Sequence, residues 1–119
     1  MPKFKRYFCT AKKKSVGTTE EFVDFDRVDP GEAWVVTRVG VYNSHATQTL
    51  DVYPGILDRG TFHRLDFKDN LAAKAVEAFV NPIFVTEGNQ FRVGLTGSGS
   101  TTTCEVTING FVLDISKEE

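Results

Sequence analysis

Apolar and polar residues alternate with a period of two along most of the chain, which predicts β-strands. The clearest run covers residues 34–42, where valine and aromatic side chains follow the turn-forming pair Pro30-Gly31. Runs rich in β-branched and aromatic residues and bounded by proline or glycine are typical of strands. Comparable runs predict further strands at residues 4–9, 22–28, 47–53, 61–67, 76–80, 91–95 and 104–115.

Glycine and proline positions indicate where the predicted strands end or deform. Pro54-Gly55 is expected to end the fourth predicted strand, because proline cannot donate a hydrogen bond to a β-ladder. Asn109-Gly110 is either a tight turn or a bulge, and the few residues that follow it favour a bulge within one long strand.

Strands without helices define the expected fold class. Residues 70–77 have the only helix-like composition, and because this segment is short and uncapped we expect a single turn there. Parallel sheets need crossover segments, usually helices, so an all-β fold with antiparallel sheets follows. We expect a two-sheet sandwich of about eight strands, of the jelly-roll type. Residues 1–17 form a basic N-terminal arm or edge strand, residues 18–115 the sandwich domain and residues 116–119 a polar tail.

A short internal echo fits this two-sheet design. Val28-x-x-Gly31-x-x-Trp34-x-Val36 recurs 57 residues later as Val85-x-x-Gly88-x-x-Phe91-x-Val93. Both copies place a polar turn before an aromatic residue that opens a strand, which indicates two Greek-key halves that each turn a corner at the glycine. Chance similarity between two β-turns is the alternative.

Composition agrees with a single folded domain. The chain has 119 residues, 40% of them hydrophobic and 25% charged, which excludes a disordered chain. Its 14 cationic and 16 acidic residues give a net charge of −2, which excludes a histone-like nucleic-acid coat. No apolar run approaches the roughly 18 residues that a membrane helix needs, so neither a membrane span nor a secretory signal is expected.

Charge is unevenly distributed along this near-neutral chain. The first 14 residues carry six cations and no acid, whereas the rest of the chain carries 8 cations and 16 acids. A basic segment on an acidic body suits docking on a protein surface. A solvated terminus without a partner is the alternative, and nucleic acid is disfavoured because the body has no basic face interleaved with aromatic residues. The predicted partner-binding residues are Lys3, Lys5, Arg6, Lys12, Lys13 and Lys14.

No motif in the sequence points to catalysis. The two histidines, His45 and His63, lack metal-ligand spacing, and the sequence contains no nucleophile-elbow motif. The glycine- and serine-rich residues 97–100 lack the lysine of a phosphate loop, so they predict a flexible hairpin loop. We therefore expect no enzymatic activity, no cofactor and no metal.

The cysteine and aromatic residues carry two further expectations. Cys9 and Cys104 are expected to be free, buried thiols, with one disulfide between them as the alternative. Ten phenylalanines against one tryptophan and three tyrosines predict core packing, since sugar-binding platforms favour tryptophan and tyrosine.

Three segments of turn and strand residues resemble a known family. They read Pro30-Gly31-Glu32-x-Trp34-x-Val36-x-x-Val39-x-Val41-Tyr42-Asn43, Glu87-Gly88-Asn89-Gln90-x-x-Val93 and Val106-x-Ile108-Asn109-Gly110-x-x-Leu113. Across residues 28–115 the sequence resembles small jelly-roll proteins of tailed-bacteriophage virions. Among these are the decoration, cement or staple proteins of icosahedral heads.

The resemblance implies a mechanical function. Such proteins bind the outside of the capsid and bridge neighbouring subunits, which stabilises the shell by mass action. The implied partner is the major capsid protein, the implied assembly a homo-dimer or homo-trimer, and the implied location the capsid surface of the virion after synthesis in the host cytoplasm. Carbohydrate-binding or receptor-binding sandwich modules of phage tails or fibres are the alternative, and they would expose Trp34, Tyr42 or Tyr53.

Overall fold

The computed structural model describes residues 2–116, which form two antiparallel β-sheets packed face to face. The strands are β1 (Lys3–Val16), β2 (Glu21–Arg27), β3 (Glu32–Tyr42), β4 (Leu50–Asp58), β5 (Thr61–Arg64), β6 (Lys68–Leu71), β7 (Val76–Phe79), β8 (Ile83–Val85), β9 (Gln90–Gly97) and β10 (Thr102–Asp114). Sheet A has the order β1-β10-β3-β7, with β8 also paired to β3. Sheet B has the order β2-β9-β4-β5, with β6 also paired to β4. The predicted all-β, antiparallel two-sheet sandwich is confirmed.

The strands number ten rather than about eight because one edge of each sheet is interrupted. β5 and β6 both pair with β4, and β7 and β8 both pair with β3, so each pair of short strands fills one position. The strand predicted at residues 61–67 accordingly ends at Arg64. The sequence does not predict β8, because three residues are too few for a periodic pattern. A turn at residues 73–74 separates β6 from β7, and residues 70–77 form no helix, as expected.

Pro54-Gly55 does not end β4, so that prediction is wrong. The strand continues to Asp58 and pairs with β9 along its whole length. On its other side β4 pairs with β6 up to Val52 and with β5 from Gly55 onward, so Pro54 falls in the gap between them. A proline is tolerated at this position because β4 has no ladder partner there to accept a backbone N–H. The Pro54 carbonyl still accepts a hydrogen bond from the Leu65 N–H at 2.9 Å.

Asn109-Gly110 lies within one long strand, as predicted. The register of β10 on β3 shifts between these two residues because Thr37 of β3 has no partner on β10, so the bulge expected at Asn109-Gly110 lies opposite it, in β3. A side chain at Gly110 would clash with the carbonyl oxygen of Val35, which explains the glycine. β1 pairs with β10 on both sides of the bulge, so these two strands form the longest ribbon of sheet A.

The two copies of the internal echo form matching corners between the sheets. Gly31, with φ 78°, lies where the chain passes from β2 in sheet B to β3 in sheet A, and Gly88, with φ 82°, lies where it returns from β8 to β9. The Gly88 N–H donates to the Val28 carbonyl at 2.9 Å, and the Gly31 N–H donates to Glu87 Oε1 at 2.8 Å. The predicted corner at each glycine is confirmed, and these two turns define what we call the corner end of the sandwich.

The core between the sheets is built mainly from valine, leucine and isoleucine. Phe25 and Phe91 are the largest fully buried side chains of the described residues, with ring centroids 6.1 Å apart. Phe4, Phe67 and Phe84 instead expose more than half of their surface. The prediction that the phenylalanines serve core packing is therefore wrong for part of the set.

Candidate docking surface

β1 carries the basic residues that the sequence singles out, and it forms an edge of sheet A. On one side it pairs with β10, and on the other side no strand within residues 2–116 pairs with it. The N-terminal segment is thus a 14-residue edge strand. Its cations lie in two groups: Lys3, Lys5 and Arg6 at the corner end, and Lys12, Lys13 and Lys14 toward the opposite end.

Glu32 anchors the first group. It is 5% exposed at the start of β3, and its Oε2 accepts hydrogen bonds from Lys5 Nζ at 2.5 Å and from Arg6 Nη1 at 3.5 Å. The Lys5 hydrogen bond and the two positive charges hold the pKa of Glu32 below its usual value, although burial acts in the opposite direction. The other oxygen, Oε1, is buried with no hydrogen-bond partner among the described residues. This buried carboxylate fixes the basic corner end of β1.

The second group is folded against sheet B. Lys12 Nζ donates to the Asp24 carbonyl at 2.8 Å and lies 5.4 Å from the centroid of the Phe25 ring. Lys14 Nζ lies 3.9 Å from the carboxylate at the start of β2. Lys13 is exposed, and it forms no ion pair with any residue in the described part of the chain. The predicted cations therefore do not form one continuous free patch.

An aromatic row crosses the outer face of sheet A at its corner end. Pairing across β1, β10, β3 and β8 places four residues side by side: Tyr7, Phe111, Val35 and Phe84. Phe4 extends the row, because its ring centroid lies 4.7 Å from that of Tyr7 and 6.3 Å from that of Phe111. Val35 is buried, whereas Tyr7 is 79% exposed, Phe84 63% and Phe4 54%. We call Phe4, Tyr7, Phe84 and Phe111 the open aromatic face.

The open aromatic face has the size of an interaction site. At roughly 150–250 Å² per aromatic side chain, its three exposed rings leave on the order of 400 Å² of apolar surface in water. The largest apolar patch on a typical folded monomer has about this size and is often functional. Within residues 2–116 no cation lies over any of these rings. An apolar face beside a basic edge strand suits a protein partner with apolar and acidic groups.

The outer face of sheet B also carries aromatic rings, and three of them are covered, whereas Phe67, whose ring centroid lies 6.3 Å from that of Tyr53, stays 54% exposed. Arg92 lies 4.2 Å from the ring centroid of Phe22 and 5.5 Å from that of Phe62. Asp24 holds this arginine through two hydrogen bonds, at 2.7 and 3.0 Å, and they raise the pKa of the guanidinium. We call Phe22, Phe62 and Tyr53 the closed aromatic face.

Tyr53 is covered in the same way. A Cβ at Gly94 would clash with its ring, and the guanidinium of Arg64 lies 4.2 Å from its ring centroid. Its hydroxyl donates to Glu20, and the residue is only 4% exposed. Burial first, and then the hydrogen bond to Glu20, raises the pKa of Tyr53 to about 12. Neither Tyr53 nor the partly buried Trp34 therefore presents a free ring to solvent.

The bulge at Thr37 of β3 leaves an open depression beside the open aromatic face. It has a volume of about 410 Å³ and is lined by Tyr7, Phe8, Cys9, Thr37, Asn109 and Gly110.

The two cysteines lie in different environments. Cys9 is exposed on the outer face of sheet A, so the expectation of two buried thiols is wrong for this residue. Cys104 is buried in the core. Both are free, since Cys9 pairs with Asn109 and Cys104 lies five residues away on β10. That separation is about 17 Å, far beyond the reach of a disulfide.

The remaining candidate chemical groups form a buried polar cluster at the end of the sandwich opposite the corners. His45 Nδ1 lies 2.7 Å from Asn43 Oδ1 and 4.0 Å from Cys104 Sγ. The amide nitrogen of Asn43 donates to three backbone carbonyls. Because these three side chains are buried, the cluster ties loops together inside the fold. His63 lies apart from it, exposed on β5.

The glycine- and serine-rich loop closes the same end. Residues 98–101 link β9 in sheet B to β10 in sheet A, so the predicted hairpin loop is wrong because its flanking strands lie in different sheets. The Gly97 N–H donates to the Gly17 carbonyl at 2.8 Å, and the Ser100 carbonyl lies 3.0 Å from His45 Nε2. These contacts connect the loop to the end of β1 and to the buried cluster.

No protein-family model matches this sequence, and a search of curated proteins gives no significant match. Among the described residues no helix has the length and apolar character needed to cross a membrane. The same residues contain no group of three histidine, cysteine or acidic side chains placed to hold a metal ion. The surface of sheet A is therefore the candidate site that the geometry offers.

Sequence reasoning found the basic residues of this surface and missed its aromatic residues. Tyr7 and Phe111 alternate with Phe8 and Val112, and which member of each pair faces the core depends on the pairing of β1 with β10. The signal that would have found them is this alternation, read together with the register of β1 on β10. Phe84 lies on a strand too short to show any alternation.

Proposed function

We propose that this protein is a virion structural protein that binds the outside of an icosahedral phage head and bridges neighbouring capsid subunits. The observation that carries the proposal is the open aromatic face, which has no cover within the described chain and adjoins the basic edge of β1. Apolar surface of this extent gains free energy when a partner removes it from water. The proposed partner is the major capsid protein.

The strand order supports the jelly-roll form of the sandwich that the family resemblance implies. When each interrupted pair of short strands counts as one position, sheet A contains positions one, eight, three and six, and sheet B contains positions two, seven, four and five. Two four-stranded antiparallel sheets joined by Greek-key connections are the pattern of a jelly roll. Viral capsid domains and lectins both use this fold, so the surface chemistry has to separate the two classes.

The mechanism of stabilisation is mass action. A protein that binds only the assembled shell stabilises it by its free energy of binding at every occupied site. Bridging two subunits needs at least two contacts, and a symmetric dimer or trimer supplies them by repeating the open aromatic face. A homo-oligomer is therefore part of the proposal.

A recognition module of a phage tail or fibre has less support from this surface. Sugar-binding platforms use exposed tryptophan or tyrosine rings, whose polar edges bond the sugar hydroxyls. Of the three residues that this alternative would expose, Tyr53 is covered, and Trp34 and Tyr42 are partly buried. Phenylalanine, which has no polar edge, supplies three of the four rings of the open aromatic face, and Tyr7 is the one tyrosine among them.

Co-sedimentation with phage heads stripped of their minor proteins tests the proposal. The protein should bind saturably, and Tyr7→Ser combined with Phe84→Ser should weaken attachment at least about ten-fold, because the two most exposed aromatic rings are lost. Leu65→Ser combined with Phe67→Ser is the matched control. These side chains are 52% and 54% exposed beside β4 of sheet B, and their loss should leave attachment unchanged.

A glycan-binding screen of the same protein provides the opposing outcome. Saturable glycan binding together with no uptake on heads would overturn the proposal and favour the recognition module. Equal losses of head binding in both double variants would overturn the role of the open aromatic face.

A further inference from the structure

β1 is the one long unpaired edge among the strands that the structure describes. Its 14 residues pair with β10 on one side only. In an antiparallel ladder alternate residues direct their N–H and C=O groups to opposite sides, so about half of β1 presents these groups to the free edge. Folded proteins usually shorten, bulge or cover such edges, because an open edge accepts a further strand.

The other edges of this sandwich follow that rule. β2 has 7 residues and an irregular register on β9, and Lys12 occupies the carbonyl of Asp24. The remaining edges consist of β5, β6, β7 and β8, which have three or four residues each. β1 has a bulge between Phe4 and Arg6, and its pairing with β10 is regular after that point.

Lysines on an edge strand commonly block further pairing, but those of β1 leave its centre open. Lys12 and Lys14 reach toward β2 of sheet B. Lys5 and Arg6 are held by a buried carboxylate at the corner end. Residues 7–11 carry no charge. The free edge thus has an uncharged centre between two cationic ends.

We infer that this edge binds an extended segment of a partner protein as an additional β-strand, and that the segment carries acidic residues on both sides of an uncharged centre. Main-chain hydrogen bonds supply affinity, and the cationic ends set the position of the segment. A second copy of β1 is a poor occupant, because two-fold antiparallel pairing brings cationic ends together. The inference deepens the proposed function by giving the chemistry of the bound segment, and it rests on that function for the partner's identity.

Calorimetric titration with a synthetic peptide tests the inference on the full chain. The probe alternates valine and threonine between two glutamates at each end. It should bind saturably, and replacing its glutamates by glutamines should weaken binding at least about ten-fold at low salt.

Two N-methylated versions of the acidic peptide separate strand addition from charge attraction. One carries methyl groups on alternate residues in the register that faces β1, which removes its donors and should abolish binding. The other carries them in the opposite register and should bind within about two-fold of the parent peptide. Amide hydrogen exchange should slow at alternate residues of β1 when the parent peptide binds.

Lys13→Glu and Arg59→Glu are the matched variants of the protein. Lys13 is exposed on β1, and the side chain of Arg59 is 91% exposed on the turn between β4 and β5 in the other sheet. Lys13→Glu should weaken binding of the acidic peptide by about five-fold or more, whereas Arg59→Glu should leave it unchanged.

The outcomes distinguish this inference from the proposed function. Equal binding of the two N-methylated peptides, or no saturable binding, would overturn strand addition. The expected N-methyl pattern without any uptake on phage heads would overturn the proposed function and leave strand addition supported. Head binding that persists in Lys13→Glu and in excess acidic peptide would exclude the edge from docking.

Discussion

The two outer faces of this sandwich carry similar aromatic residues and differ in what covers them. On sheet B, arginines held by acidic residues lie over the rings of Phe22, Phe62 and Tyr53. On sheet A, the rings of Tyr7 and Phe84 have no such cover within residues 2–116. A ring already buried by its own chain gains little from a partner, whereas an exposed ring gains the full benefit of burial. This difference is why we propose sheet A as the docking face.

Glycine explains how the closed aromatic face forms. Arg92 and Arg64 pair with Gly55 from opposite sides, and a Cβ at Gly55 would clash with the His63 carbonyl and crowd the ring of Phe62. Gly94 gives the ring of Tyr53 the same freedom to lie against the sheet. The two glycines let the rings of Tyr53 and Phe62 lie close to the backbone of the sheet.

On sheet A the nearby cations are held elsewhere. Lys5 and Arg6 are neighbours of Tyr7 along β1, but both bond to Glu32. Cations that could have covered the ring are thus drawn to a buried carboxylate. We therefore expect Glu32 to help keep the open aromatic face uncovered.

A tyrosine replacement on each face should give the largest contrast. Tyr53→Ala is expected to lower the free energy of unfolding by roughly 3–5 kcal/mol, because it removes a buried ring and leaves its hydrogen-bond partners unpaired. Tyr7→Ala is expected to change it by less than about 0.5 kcal/mol, because that ring is 79% exposed. Urea denaturation measures both values, and losses of similar size would remove the distinction between the faces.

The fold was predictable where the residue pattern is long. β3 and β10 alternate over 11 and 13 residues, so their existence and the continuation of β10 through Asn109-Gly110 follow from the sequence. β8 and the division between β5 and β6 do not, because three or four residues carry too little pattern. The tolerance of Pro54 within β4 depends on which strand lies beside it, and no local pattern contains that information.

The cations of the candidate site were predictable from the sequence, whereas its aromatic residues were not. The cations of β1 are close together in sequence, so their cluster is visible before any pairing is known. The open aromatic face assembles Tyr7, Phe84 and Phe111 from three strands that are distant in sequence, and register alone brings them together. The capture of Lys5 by Glu32 is likewise a long-range contact.

Alkaline pH should lower the free energy of unfolding through Tyr53, the buried tyrosine of the closed aromatic face. Its pKa rises from the ordinary value of 10.0 to about 12 in the folded protein, so the neutral phenol is favoured by folding. This stabilising contribution is fully present below about pH 10 and is lost as the pH rises toward 12. The wild type should therefore lose on the order of 2 kcal/mol more stability over that range than Tyr53→Phe does. Urea denaturation at stepped pH measures this, and identical alkaline slopes in the two proteins would contradict the burial of the phenol.

Glu32→Gln gives the smallest of the three expected contrasts and tests whether Glu32 holds the cations beside the open aromatic face. The loss of stability at neutral pH should be about 1 kcal/mol, because Lys5 and Arg6 are half exposed and water can replace the carboxylate. The pKa of Glu32 is lowered by folding, so its contribution is present above about pH 4.5 and is lost as the pH falls through the folded-state value. Urea denaturation between neutral and acid pH should accordingly show a steeper loss in the wild type than in the variant. If both proteins lose stability equally in acid, the carboxylate does not hold these cations, and Glu32 does not explain why the rings of sheet A are uncovered.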